Sequence, residues 1–500
     1  MATTLRRRTE ILDLPLRLKA AAGNQSEQVR ADLRAAILSG RLAPGSRLPS
    51  SRALAGQLGF RRNAVLTAYE LLQLDGLVEA ARGSGTYVAA SLPVGRSTMS
   101  PKVSFEPPPP PLPFTLGQPW SDPVILRLLA KAVRRRILRA DPDDLGYGDP
   151  RGSEALRRQI AGHLAASRGI NCDPDCVVIV PGTHQGLRMC AEALLRPGDM
   201  IWFEEPGYVA ARKTFEAARV SIAPAPVDAE GLNLELALAQ EPNPKGVYVT
   251  PSHQFPTAVT MSMPRRAALI QWARDKGVWI FEDDYDSEFR YSGSPLTALA
   301  GIGDRDRVVY VGTFSKTLFP GMRLSYLVLP PAAVTPVLAV RATLDRFPPS
   351  FLAGAVSDLI AEGVLVAHTR RIRARAQRAR DVVVEALART AGSALRLVAP
   401  TQGLHLTAHL DERMPAGSGA RIREQAGVQA LLLSETRWAA SGPEGFVLGF
   451  AGYGEKELID AAERLGVAVL AVVKTELGTA KSRPLQRLQK GRQRPSDRSR

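Results

Sequence analysis

The sequence predicts a multidomain chain in which a small α+β unit precedes a large α/β unit. Residues 24–88 carry three short helical periodicities followed by two strand-like runs. Residues 107–111 are consecutive prolines, and from Phe114 onward short apolar runs alternate with helical stretches. A length of 500 residues leaves room for roughly three domains at about 100–200 residues each. With 45% apolar and 23% charged residues, the composition supplies buried cores and excludes wholesale disorder.

The net charge of +16 is unevenly placed. Residues 1–90 hold 13 basic and 7 acidic side chains and residues 481–500 hold 8 and 1, while the middle is nearly balanced. Basic ends on a neutral body give a local affinity for polyanions, with nucleic acid as the expected partner. Cys172, Cys176 and Cys190 are too few and too clustered to staple such a chain, which points to a reducing cytoplasm. No second Cys or His pair completes a metal set with Cys172 and Cys176, so no metal site is expected. The N-terminus lacks an apolar signal core and nowhere do eighteen apolar residues run together, so neither secretion nor a membrane span is expected.

Between Asn24 and Gly40, Val29, Leu33, Ala36 and Ile37 recur at helical spacing, with Ser26 as the expected N-cap. A second helix follows Pro49, capped by Ser50 and bearing Leu54 and Leu58; Gly59 permits the turn after it. The third runs from about Arg61 to Leu74 and directs Val65, Ala68, Leu71 and Leu72 to the core. It opens with Arg61, Arg62 and Asn63, donors suited to base edges. Leu77–Ala80 and Thr86–Val88 then flank Arg82-Gly83-Ser84-Gly85, a hairpin with a glycine-rich tip. The arrangement is a winged helix-turn-helix.

The run RADLRAAILSGRLAPGSRLPSSRALAGQLGFRRNAVLTAYELLQLDGLVEAARGSGTYV resembles the GntR-type DNA-binding domain. That resemblance implies contacts to double-stranded operator DNA from Arg52, Arg62 and Asn63, with Gly83 and Gly85 at a wing tip near the minor groove. The family more often has Ser or Thr at the positions of Arg61 and Ala64. Two hydroxyl contacts to phosphate are thereby exchanged for one charge on Arg61.

Residues 91–113 are rich in Ser and Pro and read as a polyproline II spacer between a domain at 1–90 and another at 114–475. Residues 476–500 read as a basic disordered tail.

In the large unit the clearest strands are Cys176–Val180, Met200–Phe203, Val247–Thr250, Val278–Phe281 and Val308–Val311. Parallel sheets bind ligands at the carboxyl ends of their strands, so the residues after each run should share a crevice. They are Gly182-Thr183-His184-Gln185, Glu205-Pro206-Gly207-Tyr208, Ser252-His253-Gln254, Glu282-Asp283-Asp284-Tyr285 and Thr313-Phe314-Ser315-Lys316. The set suits an anionic aromatic ring: amides at a helix start for phosphate, Tyr208 to stack, Asp283 to accept a ring N–H and Lys316 as an amine.

The strings VPGTHQGL, EEPGY, VTPSHQFPTA, FEDDYDSEFRY and GTFSKTLFPGMRLSYLVLP resemble, in order, those of fold-type I aminotransferases, which use pyridoxal 5′-phosphate (PLP). The resemblance implies a PLP-dependent transferase fold with a smaller C-terminal α+β subdomain. It also implies that Lys316 forms the Schiff base, Asp283 pairs with the ring nitrogen, Tyr285 bonds the ring 3′-oxygen and Tyr208 stacks. Thr183, His184, Ser315 and Arg323 would hold the phosphate, and Tyr147 would reach the neighbouring subunit's cofactor in a homodimer. A GntR-like unit joined to such a domain resembles the MocR (GabR/PdxR-like) transcriptional regulators. Their implied task is to sense a small amine, an amino acid or PLP itself and so alter DNA engagement. The alternative is an aminotransferase with an accessory DNA-binding module.

Two departures stand out. The aminotransferase Asn-Pro-Thr-Gly element appears as Phe255-Pro256-Thr257-Ala258, leaving Gln254 or His253 as substitutes for the Asn. Val447 occupies the expected place of the arginine that binds a substrate's α-carboxylate, with Arg437 as a remote replacement. His405 and His409 lie on an alternating strand about 13 Å apart, too far to share an ion, so strand packing or a pocket edge is expected for them.

Overall fold

The computed structural model describes residues 24–91 and 110–480, apart from residues 82, 119, 121, 141–144, 304–305 and 440–441. The chain divides into two compact units between Pro109 and Pro110. Most of the Ser/Pro-rich spacer and the tail beyond Ala480 lie outside the described residues.

The first unit holds helices α1 (Gln25–Leu38), α2 (Ser51–Leu58) and α3 (Arg62–Leu74) and an antiparallel hairpin of β1 (Val78–Ala81) and β2 (Gly85–Val88). Asn24, not Ser26, caps α1: its side chain accepts from the Ser26 amide, and Ser26 is buried in the first turn. Ser50 caps α2 as expected, and Gly59 ends it in the left-handed conformation. On α3 the buried positions are Val65, Ala68, Tyr69 and Leu72, whereas Leu71 is half-buried. The Tyr69 ring takes that place in the core because its hydroxyl can donate to the Pro49 carbonyl at 2.8 Å.

The second unit opens with α4 (Pro123–Leu138) and α5 (Glu154–Arg168). An eight-stranded sheet follows, made of β3 (Val177–Val180), β4 (Met200–Glu205), β5 (Ser221–Asp228), β6 (Gly231–Leu232), β7 (Gly246–Val249), β8 (Trp279–Asp284), β9 (Val308–Thr313) and β10 (Ser325–Val328), in the order β3-β10-β9-β8-β7-β4-β5-β6. The sheet is mixed: β10 runs antiparallel to both β3 and β9, and β6 antiparallel to β5, while the five strands legible in the sequence all point one way. Helices α6 (Thr183–Leu194), α7 (Val209–Ala217) and α10 (Pro331–Leu344) pack on one face. On the other face lie α4, α5, α8 (Leu234–Gln240), α9 (Met263–Lys276) and α11 (Ser350–Ala361). Covered on both faces, these strands are continuous apolar runs rather than alternating ones.

The long helix α12 (Val364–Ala391) leads into a smaller subdomain. Its four-stranded sheet, in the order β11-β12-β14-β13, comprises β11 (Arg396–Val398), β12 (His405–His409), β13 (Leu431–Leu432) and β14 (Gly445–Gly449), packed with α13 (Ser418–Ala426) and α14 (Glu455–Ala480). His405 and His409 do lie on a strand. Helix α14 continues five residues into the segment read as a tail. The end of the proline run docks on this unit, where Leu112 accepts from the Tyr453 hydroxyl at 2.8 Å. Among the described residues no single helix is long and apolar enough to cross a membrane.

Candidate functional site

The carboxyl ends of the parallel strands open into a cavity of about 310 Å³. Thr183, His184, Tyr208, Asp283, Tyr285, Ser315, Lys316 and Arg323 all line it. Tyr147 does not: it is 79% exposed on a loop, its ring edge-on to Phe347.

Strand register selects Asp283 from the acidic run. Tyr248 pairs with Phe281 across β7 and β8, and side chains two apart share a face, so Tyr248 and Asp283 meet. The Tyr248 hydroxyl donates to Asp283 Oδ2 at 2.7 Å, and Oδ1 is buried without a hydrogen-bond partner. Glu282 and Asp284 face the other way. Glu282 accepts from the Leu299 and Ala300 amides, and Asp284 forms a 2.8 Å ion pair with Arg168. Burial pushes the Asp283 carboxyl up to about 7, against the opposing pull of the Tyr248 hydrogen bond.

Lys316 sits in the turn after β9, and no described residue bonds its amine. Burial lowers its pKa and Asp286 and Asp283 pull it back up, which brings the neutral, nucleophilic form within reach. Helix α6 starts at Thr183 behind Gly182, which offers no side-chain cap, so the first amides of the helix are free to meet an anion. A Cβ on Gly182 would lie 2.8 Å from Arg323 Nη2, so the guanidinium closes the other side of this cradle. Arg323 has φ 48, a strained conformation for a residue with a side chain. Tyr208 and His184 are stacked at 5.7 Å, with the hydroxyl 3.2 Å from the His184 Nε2. The orphaned carboxylate oxygen and the amide-and-guanidinium cradle, both in the wall of one cavity, fit a ring bearing an N–H and a phosphate.

The Tyr285 hydroxyl donates to the His253 carbonyl at 2.9 Å. Neither proposed substitute for the missing Asn reaches the cavity. The Gln254 amide is consumed by Glu204, Pro206, Phe255 and Thr257, and His253 is held behind Tyr285 by Asp286 at 2.9 Å. Phe255 itself lines the wall, edge-on to Tyr208. Val447 is buried opposite Thr407 within the small sheet, and Arg437 is tied to the Pro443 carbonyl, so neither lines the cavity. Among the described lining residues Arg323 is the one guanidinium. Sequence reasoning missed Tyr248, whose only signal was its place inside a strand, and left His405 at a pocket edge. His405 does line the cavity, and burial holds it well below its usual pKa, hence neutral.

In the first unit Arg61 is the N-cap of α3, and Arg52, Arg61, Arg62 and Asn63 are all exposed. Among the described residues none of the three arginines has an ion-pair partner, which leaves their charge for an external anion. Gly83 and Gly85, at φ 74 and 115, make the tight hairpin turn.

A helix-turn-helix with a wing, followed by a sheet whose strand ends present a lysine, a buried carboxylate and an anion cradle, defines a DNA-binding regulator built on an aminotransferase-type domain. Residues 25–88 match the gntR family of bacterial regulatory proteins and residues 117–465 match aminotransferase class I and II. The chain is 33% identical over 463 residues to the probable rhizopine catabolism regulatory protein MocR of Rhizobium meliloti, covering 89% of this chain and 94% of that one. It is 31% identical over 452 residues to the pyridoxine biosynthesis transcriptional regulator PdxR of Corynebacterium glutamicum, covering 90% and 97%. Among solved structures, the multiple substrate aminotransferase of Thermococcus profundus is 26% identical with a TM-score of 0.66, over 73% of this chain and 92% of that one. The chain belongs to the MocR-type GntR regulators, and the cofactor of its aminotransferase-type domain is PLP.

Proposed function

We propose that this protein is a cytoplasmic, homodimeric transcription factor that binds operator DNA through α3 and the wing. Its engagement of DNA is set by a small amine, an amino acid or PLP meeting Lys316. The observation that carries the reading is the convergence of Lys316, the orphaned Asp283 oxygen and the Gly182–Arg323 cradle in one cavity, in a chain whose first unit exposes unpaired arginines at a helix start.

Bound PLP supplies an aldehyde that condenses with amines and a ring that withdraws electrons when protonated. Asp283, held by Tyr248, would accept a hydrogen bond from the ring N–H and so favour the protonated ring. The α6 amides of Thr183 and His184, with Ser315 and Arg323, would hold the phosphate, and Tyr208 would cover the ring. Tyr285, lining the same cavity, would meet the ring hydroxyl. Lys316, whose amine burial makes easier to deprotonate, would hold the cofactor through its aldehyde and is the group an incoming amine would meet. Tyr147, exposed on its own chain, reaches the neighbouring subunit's cavity. The exposed Val124, Leu126, Ile137 and Leu138 of α4 support self-association. Val447, at the place of the carboxylate-binding arginine of aminotransferases and buried in the small sheet, supports regulation rather than repeated turnover of amino acids as the task.

The test is DNA binding measured by fluorescence anisotropy on the flanking intergenic DNA, with and without PLP and a panel of amines. A ligand-dependent shift that disappears in Lys316→Ala is expected. DNA affinity indifferent to PLP and to every amine overturns the sensing role.

A further inference from the structure

A second cavity, about 440 Å³, opens from the other face of the large sheet, between α5, the loop at residues 287–296 and α12. Three guanidinium groups, Arg290, Arg370 and Arg373, line it. Arg370 and Arg373 share one face of α12, where like charges three residues apart disfavour the helix. Among the described residues none of the three has a carboxylate within ion-pair reach. Arg290 donates to the neutral Gln402 amide oxygen at 3.0 Å and its Nε is buried without a partner. Arg373 donates to the Glu288 main-chain carbonyl at 2.6 Å, and among the described residues the Arg370 side chain has no hydrogen-bond partner. The fourth arginine of the wall, Arg168, is already neutralised by Asp284 at 2.8 Å.

Among the described lining residues Glu288 carries the one carboxylate, and burial pushes it up to about 7, so it opposes an entering anion only in part. Arg290 and Arg373 are half-buried and Arg370 is exposed at the rim; half-buried guanidinium groups left unneutralised are costly unless an anion joins them, and the planar forks of all three match phosphate oxygens. The cavity is far larger than a free phosphate needs, and Ile160, Leu164, Phe314, Ile360 and Leu365 line the remainder with apolar surface.

We infer that this cavity is a second ligand site, for a phosphomonoester with an apolar body, separate from the cofactor's phosphate cradle. Thr313 lines both cavities and Thr317 follows Lys316, so a ligand here bears on the segment that carries the cofactor lysine. The site gives the regulator an input that does not require an amine.

The test is titration calorimetry of cofactor-loaded, full-length protein with phenyl phosphate, and with benzoate as the carboxylate counterpart. Saturable binding at one site per chain is expected, at least tenfold tighter than for benzoate and weakening as salt rises. Affinity should fall at least tenfold in Arg370→Glu, whose side chain holds nothing in the fold, and in the double variant Arg290→Gln with Arg373→Gln. PLP should stay bound throughout the titration, with none released on gel filtration of the saturated protein. The proposal is overturned by absence of binding, by equal affinity for benzoate, by indifference to Arg370→Glu, or by release of PLP as phenyl phosphate saturates, which would place the anion in the first cavity.

Discussion

The Tyr248 hydroxyl holds one oxygen of Asp283 at 2.7 Å and leaves the other buried and unbonded, on a residue that lines the same cavity as Lys316. The carboxylate is thereby oriented by a neighbouring strand, with its free oxygen reserved for whatever enters.

Removing that hydroxyl tests the relationship. Tyr248→Phe deletes a hydrogen bond to an ionisable group, for which a loss of about 1.5–3 kcal/mol is typical. PLP affinity, measured by quenching of intrinsic fluorescence, should fall by roughly tenfold or more, while the secondary structure content stays that of the wild type.

The raised pKa of Asp283 makes a signed prediction for the cofactor-free protein. A carboxyl that titrates at about 7 when folded, against about 3.9 when unfolded, contributes stability that is present at low pH and lost as pH rises through that window. Asp283→Asn removes the penalty and keeps an acceptor for Tyr248. Its melting temperature should match the wild type near pH 4 and exceed it progressively up to pH 8. A constant difference across that range would show that Asp283 does not carry the effect.

Gly182→Ala places a methyl group against the Arg323 guanidinium, at a φ of 156. The cradle should lose its anion: PLP retention through gel filtration should drop sharply, and free phosphate should no longer compete with PLP. A variant that retains PLP as the wild type does would remove Gly182 and Arg323 from the phosphate site.

In the first unit, Arg62→Ala should cost about 1–3 kcal/mol in operator binding and relax sequence preference. Arg52→Ala should weaken all sequences alike and reduce the slope of log affinity against log salt by about 1. Anisotropy titrations at several salt concentrations separate the two.

The first unit was legible almost residue by residue, because three short helices bury one stripe each and the hairpin follows from its glycines. The differences there are local: Asn24 displaced Ser26 as the cap, and Tyr69 took a core place that periodicity had given to Leu71. In the second unit the five strongest strands and the turns at their ends were readable as apolar runs punctuated by polar residues.

What the sequence determined by itself was the order of units, the parallel strands and the residues available at their ends, since these depend on periodicity and turn chemistry close along the chain. Only the tertiary structure decided which carboxylate of Glu282-Asp283-Asp284 faces the cavity. It also showed that Gln254 and His253 are engaged elsewhere, that Val447 is buried in the small sheet, and that three arginines from α12 and a distant loop gather around a second cavity. Those outcomes depend on strand register and on contacts between residues tens to hundreds of positions apart, and no local pattern encodes them.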